Sequence, residues 1–507
     1  MATRREFLAD VGRGMLVASV GPAVATDLGL SPTFADAPDT LSFGKLEPLA
    51  AFLQDTPLDK LQPALVEKLK DGTDLRTLVA AGALANAREF GGRHYDGYHT
   101  FMALAPAYEM SKELPKDQQA LPIFKVLYRN STHIQGKGGR KNEELHPVQP
   151  LPLPAGKAPG EALLEAARKN DPKTADGLFA TIAKGKPQDM FDELQECVHD
   201  EVNVHRVVLA WRAWMMLDFT GPEQAHTLLR QSVLFACREH NRGSITEIQT
   251  LLPKLLDQYK LVGRKFGTRT ADDAWIEKLA KVIYGDGRTR AADAVAAALA
   301  EGFSPETVGE AMSLAANQLV LRDPGRRQAD GFKQVGSVHG DSPGVHASDA
   351  ANAWRHIAAV SGPRNAVASL IVGAYHTAGQ NGGQLPDPYP QPEHLGKVRS
   401  TDPAALLKET EAAVKARDQA LACALVAKYG ELGGQARPVF DLLLRYAVSE
   451  DGALHAEKYY RTVTEEFNSS RPAFRWRQLA ALARVTASEY GKPAPGMDEA
   501  RRLLGAG

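Results

Sequence analysis

Several features common in other classes of protein are scarce or missing from this sequence. It has three cysteines among 507 residues, too few for a disulfide framework. Cys197 and Cys237 leave three interpretations open: one disulfide, thiolate ligation of a metal, or two buried small apolar side chains. No other run of 18 apolar residues follows the N-terminal segment, so the mature chain should have no stable membrane span. The 60 basic side chains balance 61 acidic ones without a basic block, so nucleic acid is not an expected partner.

The signatures of several common chemistries are also absent. The chain has no Gly-x-Gly-x-x-Gly after a strand, no Walker loop, no Gly-x-Ser-x-Gly elbow and no Cys-x-x-Cys-His haem motif. A built-in dinucleotide domain is therefore not expected. Named metal motifs such as His-Glu-x-x-His, paired Glu-x-x-His and Cys-x-x-Cys are missing as well.

The N-terminus carries an export pattern. Residues 3–8 read Thr-Arg-Arg-Glu-Phe-Leu, which matches the twin-arginine consensus, and residues 15–28 are moderately apolar. The small residues at 35–37 precede a proline and fit signal cleavage. We interpret residues 1–37 as a twin-arginine signal peptide rather than an ordinary basic helix. We therefore expect a periplasmic or secreted protein that engages the twin-arginine machinery, a pathway that exports folded proteins and favours a bound metal or redox cofactor.

The remaining sequence has a helical pattern. Alanine is frequent, runs of β-branched residues are scarce, and segments such as 304–321 and 403–429 have helical periodicity. Alternating strand patterns are hard to find. These features predict an all-α fold. Residues 136–160, 322–344 and 379–396 are predicted loops, either facing a substrate or lying idle on the surface.

A histidine, a proline and a second ring residue recur at similar spacing. The steps from histidine to proline are 16, 17, 17 and 17 residues, and those from proline to the closing residue are 18, 18, 13 and 18. Proline suits the first position of a helix. Since about 17 residues of helix rise roughly 25 Å, each copy predicts a hairpin whose leading and closing residues meet. The copies are His99–Pro115–His133, His205–Pro222–His240, His346–Pro363–His376 and His455–Pro472–Tyr490.

A second level of similarity relates the two parts of the chain. Residues 72–86 resemble residues 302–317, and each segment leads into a loop with paired histidines. We predict duplicated helical-hairpin repeats in two pseudo-symmetric halves, residues 38–260 and 261–507.

The ends of the hairpins predict a multi-histidine site, because neutral imidazole is the commonest protein ligand for zinc, copper and iron. Two other interpretations are open: the rings cap helices and bind buried carbonyls, or they act without metal as acids, bases or hydrogen-bond donors. His99, His205 and His346 are the candidate catalytic residues. The candidate metal ligands are His94, His99, His133, His199, His205, His240, His339, His346 and His376. His146, His226, His356 and His394 lie outside the pattern.

Carboxylates and aromatic residues accompany these histidines. Glu201 lies about one turn before His205, and Asp349 lies one turn after His346, so both are candidates to ligate a metal or orient a ring. The tryptophans on these helices are either core residues or the lining of a cavity for a flat aromatic substrate. In the second case Arg212 would bind a carboxylate or phenolate, as would Arg355.

The segments 204–240 and 345–376 resemble the questin oxidase-like family. They run from Val-His through Gly-Pro to a closing histidine, and the pattern extends over much of residues 60–490. The resemblance implies an oxidoreductase that carries out Baeyer–Villiger-type oxidation of polycyclic aromatic ketones, with NADPH as a cofactor candidate. The export pattern departs from the fungal members and places the substrate and any use of cytoplasmic NADPH in question. No catalytic residue is carried over.

Two functional hypotheses follow. The first is an exported oxidoreductase that binds iron, copper or zinc and acts on a hydrophobic aromatic or carbonyl small molecule at the multi-histidine site. The second is a non-enzymatic helical-repeat scaffold or metal-binding envelope protein.

Overall fold

The computed structural model describes residues 40–240 and 246–506, so the interpreted signal peptide lies outside the described residues. The predicted all-α fold is confirmed, because regular structure in these ranges is helical and β contacts are isolated bridges. Residues 43–144 and 148–506 belong to one compact unit, and residues 40–42 and 145–147 belong to a second. None of the helices in the described ranges has the length and hydropathy of a membrane span.

Most helices are short and are joined by tight turns. The first part of the unit contains α1 Glu47–Asp55, α2 Leu58–Lys70, α3 Leu75–Phe90, α4 Tyr95–Ser111, α5 Leu121–Lys137, α6 Pro159–Arg168, α7 Pro172–Ile182, α8 Pro187–His199, α9 Val204–Met215, α10 Leu217–Thr220, α11 Ala225–Glu239 and α12 Ile248–Gln258. It continues with α13 Asp273–Gly285, α14 Arg288–Ala300, α15 Pro305–Leu321, α16 Pro343–Val360, α17 Pro363–Ala378, α18 Pro392–Leu395, α19 Pro403–Lys415, α20 Gln419–Glu431, α21 Ala436–Ser449, α22 His455–Ser469, α23 Pro472–Glu489 and α24 Met497–Leu504.

Four helices form a closed circuit at the centre of the unit. Helix α4 packs against α9, α9 against α16, α16 against α22, and α22 returns to α4. Each of these helices carries one leading histidine of the repeat within its first five residues. The circuit therefore brings four helix starts from distant parts of the chain to one place.

Each helix of the circuit also packs against the helix that follows it in its repeat: α5 on α4, α11 on α9, α17 on α16 and α23 on α22. Pro363 and Pro472 occupy the first position of their helices, as the spacing predicts. Pro222 begins a short 3-10 turn that leads into α11. The prediction for Pro115 was wrong: it lies in a turn, because α5 begins at Leu121 with a second proline, Pro122, in its first turn. The two pseudo-symmetric halves and their boundary stay a prediction.

A buried ion pair connects the outer helix α5 to the circuit. The Nζ atom of Lys125 lies 2.5 Å from the Glu457 carboxylate on α22. The same ammonium donates to the backbone carbonyls of Ala447 and Glu450, at 2.8 and 2.5 Å. Both side chains are withdrawn from solvent. Removing one partner alone would leave a charge buried without compensation.

We predict that Lys125→Met lowers the free energy of unfolding by about 3–5 kcal/mol, since Glu457 then stays buried without its cation. The double variant Lys125→Met/Glu457→Leu should recover most of that loss. Lys116→Met, at an exposed position nearby, should change stability by less than about 0.5 kcal/mol. Urea-unfolding midpoints check all three, and a Lys125→Met protein as stable as wild type would contradict the assignment.

Candidate functional site

The four leading histidines of the repeat converge at the starts of the circuit helices. The Nε2 atoms of His99 and His205 are 2.9 Å apart. The Nε2 atoms of His346 and His455 are 3.5 Å apart. His99 and His455 are buried, whereas His205 and His346 retain partial exposure. We call these four side chains the ring cluster; its partly open side is formed by His205 and His346.

The ring centroids, but not the ring nitrogens, have the spacing of four ligands around one ion. The ring centroids of neighbouring members are 4.8, 5.0, 5.5 and 5.9 Å apart around the cluster. A metal about 2.1 Å from each nitrogen would place neighbouring centroids about 4.5–6 Å apart at ligand angles of roughly 90–135°. The nitrogens themselves are oriented in two pairs. No three of the four Nε2 or Nδ1 donor sets come within 4.8 Å of one another. In the described part of the chain, the three residues whose ligand atoms do so are Asp200, Glu201 and His240. Binding one ion would therefore require rotation of the rings about positions that already fit.

The local backbone aims these rings inward. The Asn203 side chain caps α9 by accepting from the backbone N–H of His205 at 2.8 Å, which fixes that residue in the first turn. Ala453 and Leu454 precede His455 with φ of 47° and 63°, a left-handed conformation that is strained for side chains with a Cβ. The His455 Nδ1 atom lies 3.2 Å from the Gly452 carbonyl. A proton on Nδ1 donated to that carbonyl leaves Nε2 free to face the cluster.

A lysine completes the inner side of the cluster. Lys458 lies one turn after His455 on α22, is buried, and places its Nζ atom 3.1 Å from Nδ1 of His99. Burial lowers the pKa of Lys458 to about 8, even though nearby Asp349 opposes the shift. Asp349 accepts a hydrogen bond from Thr462 at 2.8 Å, and burial raises the pKa of its carboxyl. Asp349 is thus part of the polar surroundings of Lys458.

The rings are kept uncharged at neutral pH. Burial, followed by the positive charge of Lys458, lowers the pKa of His99, His205 and His455 well below the usual range. The same two causes lower the pKa of His346 to about 4. Each ring lies within the first five residues of its helix, where the partial positive charge of the helix N-terminus further disfavours imidazolium. Neutral imidazole is the form that binds metals.

Tyrosines cover the partly open side of the cluster. The Tyr95 ring stacks on His99 at a centroid distance of 4.2 Å, and Tyr95 itself is 53 % exposed. It also meets the His205 ring edge-on at 5.7 Å. Tyr98 is buried behind it, 5.1 Å from the His205 ring. One exposed aromatic ring therefore separates the cluster from solvent at this point.

A cleft of about 440 Å³ lies beside the cluster, along the loop that leads into α16. His339, Asp341 and Ser342 are among its lining residues, and His346 follows one turn into the helix. At Gly340 the loop backbone presses against the cluster, since a Cβ there would lie 2.2 Å from Cβ of His455.

The other predicted ligands lie outside the ring cluster, each with its own partner. His376 accepts at Nδ1 from the Trp354 indole at 3.2 Å, and His199 lies 2.9 Å from the Ser369 hydroxyl. Burial lowers the pKa of both imidazoles to about 3. The remaining three pair with polar groups: His94 with Glu144 at 3.1 Å, His133 with Asp96 at 3.7 Å, and His339 with Ser337 at 2.7 Å and Glu489 at 3.3 Å.

His240 belongs to a separate set with Asp200 and Glu201, whose ligand atoms all lie within 4.8 Å of one another. Its Nδ1 atom is 2.7 Å from Glu201 and 3.9 Å from Asp200. Both carboxylates also bind arginines, Glu201 to Arg206 at 2.9 Å and Asp200 to Arg168 at 3.0 Å. These cations already neutralise the carboxylates, so the set forms an ion-pair network before α9.

The tryptophans and their arginines pack in the core. Trp354 is fully buried, and Trp211 stacks on His356 at 4.8 Å. Arg212 is buried with its Nη1 atom 2.9 Å from the Met215 sulfur, and Arg355 pairs with Glu466. None of these four side chains is among the lining residues of the cleft. All three cysteines are buried free thiols, so the disulfide interpretation of Cys197 and Cys237 is wrong; burial raises the pKa of both thiols.

Three residues of the site were missed as candidates from the sequence. His455 leads the fourth repeat, yet its closing residue is a tyrosine, and it was not counted among the ligands. Lys458 follows it at helical spacing, which was the available signal. Tyr95 precedes His99 by one turn and has the same signal.

Comparison of the chain with family models, with curated proteins and with solved structures finds no match. The questin oxidase-like resemblance thus stays a prediction from the residues alone.

We predict that acid destabilises the metal-free protein through the ring cluster. The unfolded histidines protonate near pH 6.5, whereas His346 resists protonation down to about pH 4. The unfolded state therefore binds more protons, and stability falls as the pH drops from about 6.5 to 4. His346→Asn should reduce that slope by up to about 1.4 kcal/mol per pH unit. The measurement is urea unfolding with chelator present at several pH values in this window.

The control is His146→Asn, at an exposed position, which should keep the wild-type slope. Equal slopes for wild type and His346→Asn would show that the ring is not held uncharged.

Proposed function

We propose that this chain is an exported, metal-dependent oxidoreductase whose active site is the ring cluster. The observation that carries the proposal is the convergence of His99, His205, His346 and His455 from four helix starts. Imidazoles that are held uncharged, lie close together and are open on one side are suited to catalysis and, once the rings rotate, to ligation of one ion. Substrate reaches them from the side covered by Tyr95.

The residues present fit a transition metal. The ring cluster offers four neutral nitrogen donors and contains neither a thiolate nor a carboxylate. Such a donor set suits zinc, copper or iron, whereas calcium and magnesium take oxygen ligands. When bound, iron or copper would supply redox chemistry and zinc a Lewis acid. The hydrogen bond from His455 Nδ1 to the Gly452 carbonyl would raise the basicity of the ligating nitrogen.

The neighbouring side chains have distinct roles in this proposal. Lys458 contacts the Nδ1 atom of His99, on the opposite edge of that ring from Nε2. It is placed to exchange a proton with Nδ1 when Nε2 leaves His205 and binds the metal. The exposed face of Tyr95 provides an aromatic surface next to the rings, suited to a flat hydrophobic aromatic or carbonyl substrate. The questin oxidase-like resemblance supports the same substrate class and oxidation of a polycyclic aromatic ketone, with NADPH as its implied reductant.

A scaffold or metal-storage role is the second candidate. The observation in its favour is that His99 and His205 lie at hydrogen-bond distance from each other, as rings that serve packing would. Against it, such rings need neither a partly open side nor an adjacent cleft.

We predict that the exported protein holds iron, copper or zinc at close to one ion per chain, measured by elemental mass spectrometry with a visible spectrum. His205→Ala/His346→Ala should lose the metal and keep its helical circular dichroism. His94→Ala/His133→Ala, which removes two rings outside the cluster, should retain it. Supplied with O2 and NADPH, the loaded protein should insert one oxygen atom into a polycyclic aromatic ketone such as anthrone while the other oxygen atom is reduced to water. Mass spectrometry detects the product against an enzyme-free sample, since anthrone also oxidises in air.

Two outcomes would contradict this assignment. A fully folded wild-type protein without metal would favour the scaffold, as would loss of fold in the His205→Ala/His346→Ala protein. Metal that persists in that double variant but disappears in His240→Ala would move the site to the Asp200–Glu201–His240 set.

We also predict that export depends on the paired arginines of the N-terminus. Arg4→Lys/Arg5→Lys should retain the full-length protein in the cytoplasm, because the twin-arginine machinery reads both guanidinium groups. Cell fractionation followed by immunoblotting measures this. Arg13→Lys is the matched control and should leave export intact. Normal export of the twin-lysine variant would rule out the twin-arginine interpretation.

A further inference from the structure

Three polar side chains form a line that begins in the cleft at a serine and runs into the protein. The Oγ atom of Ser337 lies 2.7 Å from Nε2 of His339, and the other nitrogen of that ring, Nδ1, lies 3.3 Å from the Glu489 carboxylate. Only 1 % of His339 and 6 % of Glu489 are exposed, so the two inner members are buried. Ser337 is partly exposed and lines the cleft. Hydroxyl, imidazole and carboxylate thus follow one another in the order of a catalytic triad.

The two buried members are held in place and face each other. One oxygen of Glu489, Oε1, accepts from the backbone N–H of Gly340 at 2.8 Å. Its other oxygen and Nδ1 of His339 have no hydrogen-bond partner elsewhere among the described residues. The Phe332 ring meets the imidazole edge-on at 5.5 Å. A proton on Nδ1 directed at Glu489 leaves the lone pair of Nε2 for the serine hydroxyl, and such hydrogen bonds often tighten only when substrate binds.

The serine hydroxyl has a fixed position. Its Oγ atom also lies 2.5 Å from the carbonyl oxygen of Gln334, which accepts the backbone N–H of Ser337 at 3.2 Å as well. The Ser337 carbonyl in turn accepts from the backbone N–H of Arg326 at 3.0 Å. The single hydroxyl proton serves Gln334 or His339, so rotation about the Cβ–Oγ bond directs it to the imidazole. A triad is defined by this geometry, and the missing Gly-x-Ser-x-Gly elbow does not bear on it.

The cleft in front of the serine suits an uncharged ligand. Two guanidinium groups and two carboxylates line it, those of Arg326, Arg327, Asp323 and Asp341, so the charges balance. Its volume of about 440 Å³ is within the range of small-molecule sites. The guanidinium groups are N–H donors in the same cleft for negative charge that develops on a carbonyl oxygen.

We propose that Ser337, His339 and Glu489 form a second active site, which hydrolyses an uncharged carboxylic ester. This activity goes beyond the proposed oxidation and does not depend on it. Ser337 and His339 are its catalytic residues, and Glu489 is a positioning residue that orients the imidazole.

The reaction consumes one water molecule and neither an oxidant nor a reductant. The Oγ atom of Ser337 bonds to the ester carbonyl carbon while its proton passes to Nε2 of His339. The ester C–O bond then breaks, and that proton leaves with the alcohol. Water next bonds to the acyl carbon and gives a proton to Nε2. The bond between Oγ and the acyl carbon breaks, the carboxylic acid leaves, and the proton returns to Oγ.

The test treats the exported protein with a fluorophosphonate probe, whose phosphorus bonds to an activated serine oxygen as fluoride leaves, and follows hydrolysis of 4-nitrophenyl butyrate. Wild type should take up one probe, mapped to Ser337 by peptide mass spectrometry. Ser337→Ala and His339→Asn should take up none and lose at least about a hundredfold in hydrolysis. Glu489→Gln should lower kcat by about a hundredfold with KM within about twofold, because Glu489 acts through the ring.

Ser469→Ala is the matched control, since Ser469 is an exposed serine at the end of α22 and does not line the cleft. It should behave as wild type. Helical circular dichroism checks the fold of each variant. If Ser337→Ala does not fold, Ser337→Cys replaces it: the three native thiols are buried, so iodoacetamide should react at the new thiol, at least about tenfold more slowly when His339→Asn is added.

Four results would overturn the proposal. They are a wild-type protein that takes up no probe, labelling or hydrolysis that persists in Ser337→Ala, labelling that is lost in Ser469→Ala, and an alkylation rate that His339→Asn leaves unchanged. Hydrolysis is measured with and without EDTA, and metal content is measured on the same samples. Hydrolysis that EDTA abolishes would move the activity to the ring cluster and defeat the triad alone. Metal-free protein that hydrolyses the ester through Ser337 defeats the oxidoreductase alone.

Discussion

The structure depends on one constraint: the four histidine rings of the cluster are largely buried from water and must stay uncharged. Burial and Lys458 hold the pKa of every member of the ring cluster low, and four helix N-termini add their partial positive charges to the same volume. A protonated ring there would face positive charge on most sides. The interior of the unit is therefore compatible with neutral donors and with incoming negative charge.

The closed circuit of helices is the means by which this environment is built. A single pair of helices could bring two rings together, but the third and fourth must come from parts of the chain more than 100 residues away. The circuit α4–α9–α16–α22 supplies all four rings. The second helices of the repeats, α5, α11, α17 and α23, pack against its members. The buried ion pair Lys125–Glu457 then holds α5 against α22, because removing either partner would leave a buried charge without compensation.

Much of this arrangement follows from the sequence, and the rest has identifiable physical reasons. Helical periodicity gives the fold class, and the near-constant histidine-to-proline step gives the four helix pairs. The spacing implied that leading and closing residues share a site. Instead the leading residues meet one another, because the helices pack start to start in a circuit, and spacing within a hairpin holds no information about packing between hairpins. His376 closes the third copy of the pattern, yet it accepts a hydrogen bond from Trp354. His199, predicted as a ligand beside the second copy, lies against Ser369. Both contacts depend on tertiary neighbours.

Gly340 links the cleft to the chemistry of the cluster more tightly than a hydrogen bond would. Its backbone lies so close to His455 that a single methyl group at this position would displace the ring. A side chain added to the loop at this position would therefore change the position of the fourth imidazole. The loop is exposed at Arg327, so a substitution there meets solvent, whereas any side chain at Gly340 meets the ring of His455. The space left at this one glycine therefore limits how the loop can be altered without disturbing the cluster.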